Sequence, residues 1–173
     1  GIGQLPKGDK DPFALRRAAI GVLRIVTELS LPLDLETLVS KAIDVYGDKL
    51  TNAETQSQVV DFVLGRFTAL LQDQAIAIDV IQAVAARRPT KPADYLARVH
   101  AVDKFRALEE AEALAAANKR VANILAKQNV EVTDTVNIDE SLLAEEAEKA
   151  LYVELKAAQK EVDIAVPSQD YTR

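Results

Sequence analysis

The chain of 173 residues contains no cysteine, no methionine and no tryptophan, a single histidine, and only 5% aromatic residues. Each shortage closes a class of chemistry. Without cysteine there are no disulfides, thiolate zinc sites, iron–sulfur clusters or thiol nucleophiles. One histidine, His100, cannot build a His-rich metal centre. No apolar run reaches the ~18 residues of a membrane span. The opening Gly1-Ile2-Gly3-Gln4-Leu5-Pro6 has neither the basic stretch nor the long apolar core of a signal peptide. The expectation is a soluble chain in a reducing, cytoplasmic setting, with no membrane partner. The missing initial methionine also suggests a section of a longer polypeptide.

What is present favours helix. The chain is 49% hydrophobic, which excludes a disordered acidic polymer, and its length suits one domain or two small ones. Alanine is abundant and glycine scarce. Asp11 and Pro12 have the character of a helix start, followed by Leu15, Ala18, Ala19, Val22, Leu23, Val26 and Leu29 at three- and four-residue steps. Asp34 predicts the cap of a second helix, stopped by Gly47, with Leu35, Leu38, Val39, Ala42, Ile43 and Tyr46 inward. Thr51-Asn52-Ala53-Glu54 has capping-box spacing ahead of a third helix. A fourth is expected over 75–86, a fifth from Pro92, and a sixth that follows or continues it through Leu125. Residues 128–137 read as a loop, and Asp139 as the cap of a last helix that ends before Pro167. The expected fold is all-α, a bundle of about six to seven helices.

Charge is unevenly placed. Residues 1–86 hold eight basic and eleven acidic residues, 87–127 hold nine and five, and 128–163 hold three and ten. A positive middle inside a chain of net charge −6 is a candidate surface for a polyanion, because the local field steers a ligand. Arg87, Arg88 and Lys91 lie at the joint before the fifth helix, Arg98, Lys104 and Arg106 on that helix, and Lys119, Arg120 and Lys127 on the next. Phosphates would meet these cations, and Asn118 or Asn123 would face base edges. Tyr95 is the more open candidate for base stacking, whereas Phe105 fits the core stripe.

Little supports catalysis. No glycine-rich phosphate loop and no Gly-x-Ser-x-Gly elbow is present. His100, between Arg98 and Lys104, has no evident orienting partner and reads as a half-exposed helical histidine. Glu109-Glu110-Glu112 and Glu145-Glu146-Glu148 diverge around their helices, so they read as solvated faces and not as a metal site. No catalytic residue, metal site or bound cofactor is expected in this chain.

Several stretches stand out when taken together. They are Asp11-Pro12-Phe13-Ala14-Leu15-Arg16-Arg17-Ala18-Ala19 with Gly21-Val22-Leu23-Arg24-Ile25, then Phe62-Val63-Leu64-Gly65-Arg66-Phe67 and Asp79-Val80-Ile81-Gln82-Ala83-Val84. Arg88-Pro89-Thr90-Lys91-Pro92 follows, then Ala113 to Val121 and Asn123-Ile124-Leu125-Ala126-Lys127. Together these stretches resemble the bacterial glycyl-tRNA synthetase beta subunit: the motifs run in that family's order to about Lys127, and the acidic stretch beyond matches only loosely.

The resemblance implies a two-subunit class II aminoacyl-tRNA synthetase. Its alpha subunit activates glycine with ATP and magnesium, and its beta subunit is required to bind and charge tRNA-Gly. It further implies a C-terminal section of a beta subunit several times longer. Residues 1–90 would be a helical subdomain following the edge of an HD-type domain, and 91–173 a partial, DALR-like anticodon-binding region. The implied partners are tRNA-Gly and the alpha subunit. Arg16 and Arg17 belong to the signature and read as structural ion-pairing residues. A rival expectation is a helical scaffold that joins beta-subunit domains or meets the alpha subunit without touching RNA. The acidic helix expected after Asp139 favours it, since such a face repels phosphate.

Overall fold

The computed structural model describes residue 11 and residues 13–128, 138–168 and 170–171. Among them are seven α-helices, two single turns of 3₁₀ helix and no strand, so the all-α expectation holds. The helices are α1 (Leu15–Glu28), α2 (Leu35–Tyr46), α3 (Thr55–Gln72), α4 (Ile78–Ala85), α5 (Pro92–Arg106), α6 (Glu110–Lys127) and α7 (Glu146–Ala165). The chain groups into two compact units, Gly1–Asp103 and Lys104–Arg173.

The first unit is a core of sequential helices. Helix α1 begins at Leu15 with Ala14, in a left-handed conformation (φ 54°), as its cap residue, three residues later than a cap at Asp11 predicts; the Asp11 carboxylate still accepts from the Leu15 and Arg16 amides at 2.8 and 3.1 Å. Pro12 lies outside the described residues. The predicted apolar stripe of α1 resolves into two neighbouring faces. Ala19, Leu23 and Val26 are buried, whereas Leu15, Ala18, Val22 and Leu29 remain exposed. Asp34 caps α2 by accepting from the Thr37 amide at 3.0 Å, and Gly47 (φ 53°) supplies the left-handed stop. Of the expected α2 stripe only Leu35 is fully buried, and Tyr46 is exposed.

Helix α3 packs against both α1 and α2. It begins one turn later than capping-box spacing predicts. Asn52 intervenes, its side chain accepting from the Glu54 amide at 3.0 Å, so the chain makes an Asx turn before Thr55 starts the helix. Helix α4 begins at Ile78 and not at Ala75, because Ala75 takes a left-handed conformation (φ 63°) that no right-handed helix accepts. Leu23, Phe67, Leu70, Leu71, Val80, Ile81, Val84, Tyr95 and Val99 form one buried cluster contributed by α1, α3, α4 and α5.

The second unit is built otherwise. Helices α5 and α6 are separate, divided by a turn at 107–109. Ala111 is the one buried residue among those described there. The expected helix after Asp139 is instead two elements. Asp139 caps only the 3₁₀ turn Glu140–Leu142, its carboxylate accepting from the Ser141 amide at 2.9 Å. A capping box between Glu145 and Glu148 then starts α7 afresh. The predicted loop at 128–137, with Val130, Val132 and Val136, lies outside the described residues beyond Gln128.

Candidate nucleic-acid interface

The basic residues expected to act together fall into distinct environments. Around the α4–α5 joint, Arg87, Arg88, Pro89, Thr90, Lys91, Asp94 and Arg98 line one open groove. Much of its positive charge is already matched. Arg88 places Nη1 2.8 Å from Glu36 Oε1 on α2 and Nη2 2.9 Å from Asp61 Oδ1 on α3. Those carboxylates, Glu36 first and then Asp61, hold the guanidinium further toward its charged form. Arg98 Nε lies 2.8 Å from Asp94 Oδ2 one helical turn away. The Thr90 hydroxyl donates to Asp34 Oδ2 at 2.6 Å, and the Leu35 amide donates to the Thr90 carbonyl at 2.9 Å. The joint is therefore stitched to the start of α2. Arg87 and Lys91 are exposed and have no ion pair among the described residues.

Helix α6 carries a different arrangement. Ala116, Lys119, Arg120, Asn123, Ile124 and Lys127 share one exposed face. Residues 119, 123 and 127 recur every four positions, so their side chains form a ridge along the helix. Lys119, Arg120 and Lys127 have no carboxylate partner among the described residues. Glu110 and Glu112 sit in the first turn and Lys127 in the last, an order that complements the helix dipole. Asn118 does not belong to this ridge. Its spacing sets it with Ala111, Leu114, Val121 and Leu125 on the opposite side of α6. Asn123 and Lys127 complete the strip, and the four-residue recurrence from Lys119 is the signal that identifies them.

Lys104 and Arg106 occupy the last turn of α5. Between them the two aromatic expectations reverse. Tyr95 is not an open stacking platform: it is 2% exposed and lies flat on Phe67, ring centroids 4.3 Å apart. Burial also pushes its hydroxyl above the ordinary tyrosine range. Phe105, expected in the core, is 43% exposed. The α5 stripe faces the core with Tyr95 and Val99 and has run past it by the final turn. His100 is exposed on α5. Among the described residues no group of three or more His, Cys, Asp or Glu is placed to hold a metal ion. Among them, too, no helix is long and apolar enough to cross a membrane.

Comparison with known proteins assigns the family. Residues 1–86 match the model of a family described as "Glycyl-tRNA synthetase beta subunit". Over all 173 residues the chain is 95% identical to a glycine–tRNA ligase beta subunit of Alteromonas mediterranea, covering 25% of that protein. It is 60% identical over 171 residues to the beta subunit of Actinobacillus pleuropneumoniae, covering 99% of this chain and 24% of that one. The Haemophilus influenzae beta subunit is 58% identical over 172 residues, covering 99% of this chain and 25% of that one. By their names these relatives are subunits of an aminoacyl-tRNA synthetase. It spans about a quarter of the length of the relatives it matches. The chain belongs to the glycine–tRNA ligase beta subunit family.

Proposed function

We propose that this chain is a tRNA-contacting section of a glycine–tRNA ligase beta subunit, from its C-terminal, DALR-like anticodon-binding region, and that it docks the anticodon arm of tRNA-Gly. The observation that carries this reading is the α6 strip, where Lys119, Arg120 and Lys127 stand exposed beside Asn123 without a carboxylate partner among the described residues. Unpaired cations along a ridge suit a phosphate backbone, and an amide among them suits a base edge. Phe105, exposed between Lys104 and Arg106, offers a surface on which an unstacked base packs. The compensated groove at the joint is a weaker contributor, with Arg88 mainly structural and Arg87, Lys91 and Arg98 at its rim. In this reading ATP and magnesium act at the alpha subunit, charging takes place in the cytoplasm, and the chain's own part is to hold the RNA.

Titration of the chain with tRNA-Gly at two salt concentrations tests the reading. Three neutralised phosphates predict a slope of log affinity against log salt of about −2 to −3. Lys119→Glu with Arg120→Glu is expected to weaken binding about tenfold or more and flatten that slope. Absence of binding at low salt, or of any salt dependence, removes direct contact. A second reading, a scaffold toward other beta-subunit domains or the alpha subunit, is favoured by the exposed Leu114, Val121, Leu151 and Leu155 on α6 and α7. Under it, the same charge reversal leaves RNA affinity intact.

A further inference from the structure

We infer that the outward face of α1 is a docking seam for an α-helix supplied by the rest of the beta subunit polypeptide. Leu15, Ala18, Val22, Ile25 and Leu29 follow alternating steps of three and four residues, and all five are exposed, Ile25 to 57% and Leu29 to 66%. The unit's own core does not use them, since Ala19, Leu23 and Val26 make α1's buried face. The polar residues Arg17, Arg24 and Glu28 occupy a third face. A repeat averaging three and a half residues keeps a stripe parallel to the helix axis, and its complement is another helix crossing at about 20°. A strand or an irregular loop has no matching period.

Gly21 supports the same occupant. It lies in the middle of α1 beside the seam, and a Cβ built on it meets nothing within 4 Å. Its φ is negative, so no turn requires glycine there. A mid-helix glycine weakens a helix relative to alanine, and a second backbone approaching closely is the reason that fits.

The occupant's source follows from area and from length. A helix of 14 residues is about 21 Å long, so the seam offers a footprint of roughly 200 Å² per partner. Two copies of this chain pairing through it would bury far less than the ~1,200 Å² of a stable interface. A helix of the same polypeptide avoids the cost of bimolecular association and needs no such area. The chain covers only 25% of its Alteromonas mediterranea relative, which leaves ample sequence to provide one.

The chain has no cysteine, so a single Ile25→Cys reports on the seam alone. The thiol is expected to react rapidly with a soluble maleimide in this chain. At the equivalent position of the full-length Alteromonas mediterranea beta subunit, without alpha subunit, it is expected to react about tenfold or more slowly, read on the peptide by mass spectrometry. Leu29→Cys gives a second reporter, and circular dichroism checks folding of each variant. Equal reactivity in the two proteins overturns the inference. So does protection that appears only on adding alpha subunit, or only as the concentration of the chain is raised. These outcomes do not depend on tRNA, so they leave the RNA-docking reading to stand or fall by its own titration.

Discussion

The residues up to Val99 and those beyond Lys104 obtain helical structure by different means. In the first unit, α1, α3, α4 and α5 share nine buried residues, and the α4–α5 joint is tied to α2 by Arg88 and Thr90. In the second, α6 holds seven alanines in 18 residues, capped by charges that complement its dipole, and buries only Ala111. One region is stabilised by tertiary packing and the other by local propensity. The lesson is that equal helix content conceals unequal dependence on neighbours. It also explains why α6 carries a whole ridge of cations without an ion pair among the described residues: a helix that buries almost nothing leaves its side chains open.

The largest effect is expected of Phe67→Ala, which removes a fully buried ring and its stack on Tyr95. A loss of about 3–5 kcal/mol in unfolding free energy is expected by denaturant titration. A similar truncation in the second unit, Leu151→Ala, is expected to stay within about 0.5 kcal/mol, because that side chain is 71% exposed. Comparable losses in both would show that the two regions fold on the same footing.

The next effect belongs to Asp34, which caps α2 and receives the Thr90 hydroxyl. Asp34→Ala is expected to cost about 1–2 kcal/mol. The Thr90 hydroxyl first, and then the Thr37 amide, hold this carboxyl below its ordinary range. Its contribution is therefore complete above the ordinary aspartate value near pH 4, and it is lost as the pH falls through the lowered folded value. Thermal melts should show Asp34→Asn with a flatter acid limb than the parent chain.

A smaller effect than that at Asp34 comes from Arg88, whose φ is 46°. Its ion pairs are half exposed and worth little each, so Arg88→Ala is expected to cost at most about 1 kcal/mol. Arg88→Gly should be more stable than Arg88→Ala by roughly 0.5–1 kcal/mol, since glycine accepts the left-handed conformation without strain. A reversed order would mean that the joint moves once the ion pairs are gone.

Periodicity made the number and placement of helices readable, and three local signals, Asp34, Gly47 and Pro92, set boundaries that the structure keeps. It did not reveal which of two adjacent apolar faces has a partner. Leu15, Ala19, Val22 and Leu23 look alike along the sequence, yet only Ala19 and Leu23 are buried, and Leu23 joins the shared core. Tyr95 and Phe105 were misplaced for a related reason: an amphipathic helix that outruns its core exposes residues whose spacing looks internal. In the basic segment, composition found the cations. Helical phase, and the carboxylates brought in by α2 and α3, decide which remain unpaired.

The near absence of burial on α6 and α7 also bears on how heat would take this chain apart. A helix held by its own alanines and caps melts gradually over a broad range, whereas a shared core melts as a unit. Calorimetry should record a sharp peak from the first unit on a sloping baseline from the second, with a van't Hoff enthalpy that differs from the calorimetric one. A midpoint read from circular dichroism alone would average two processes and belong to neither.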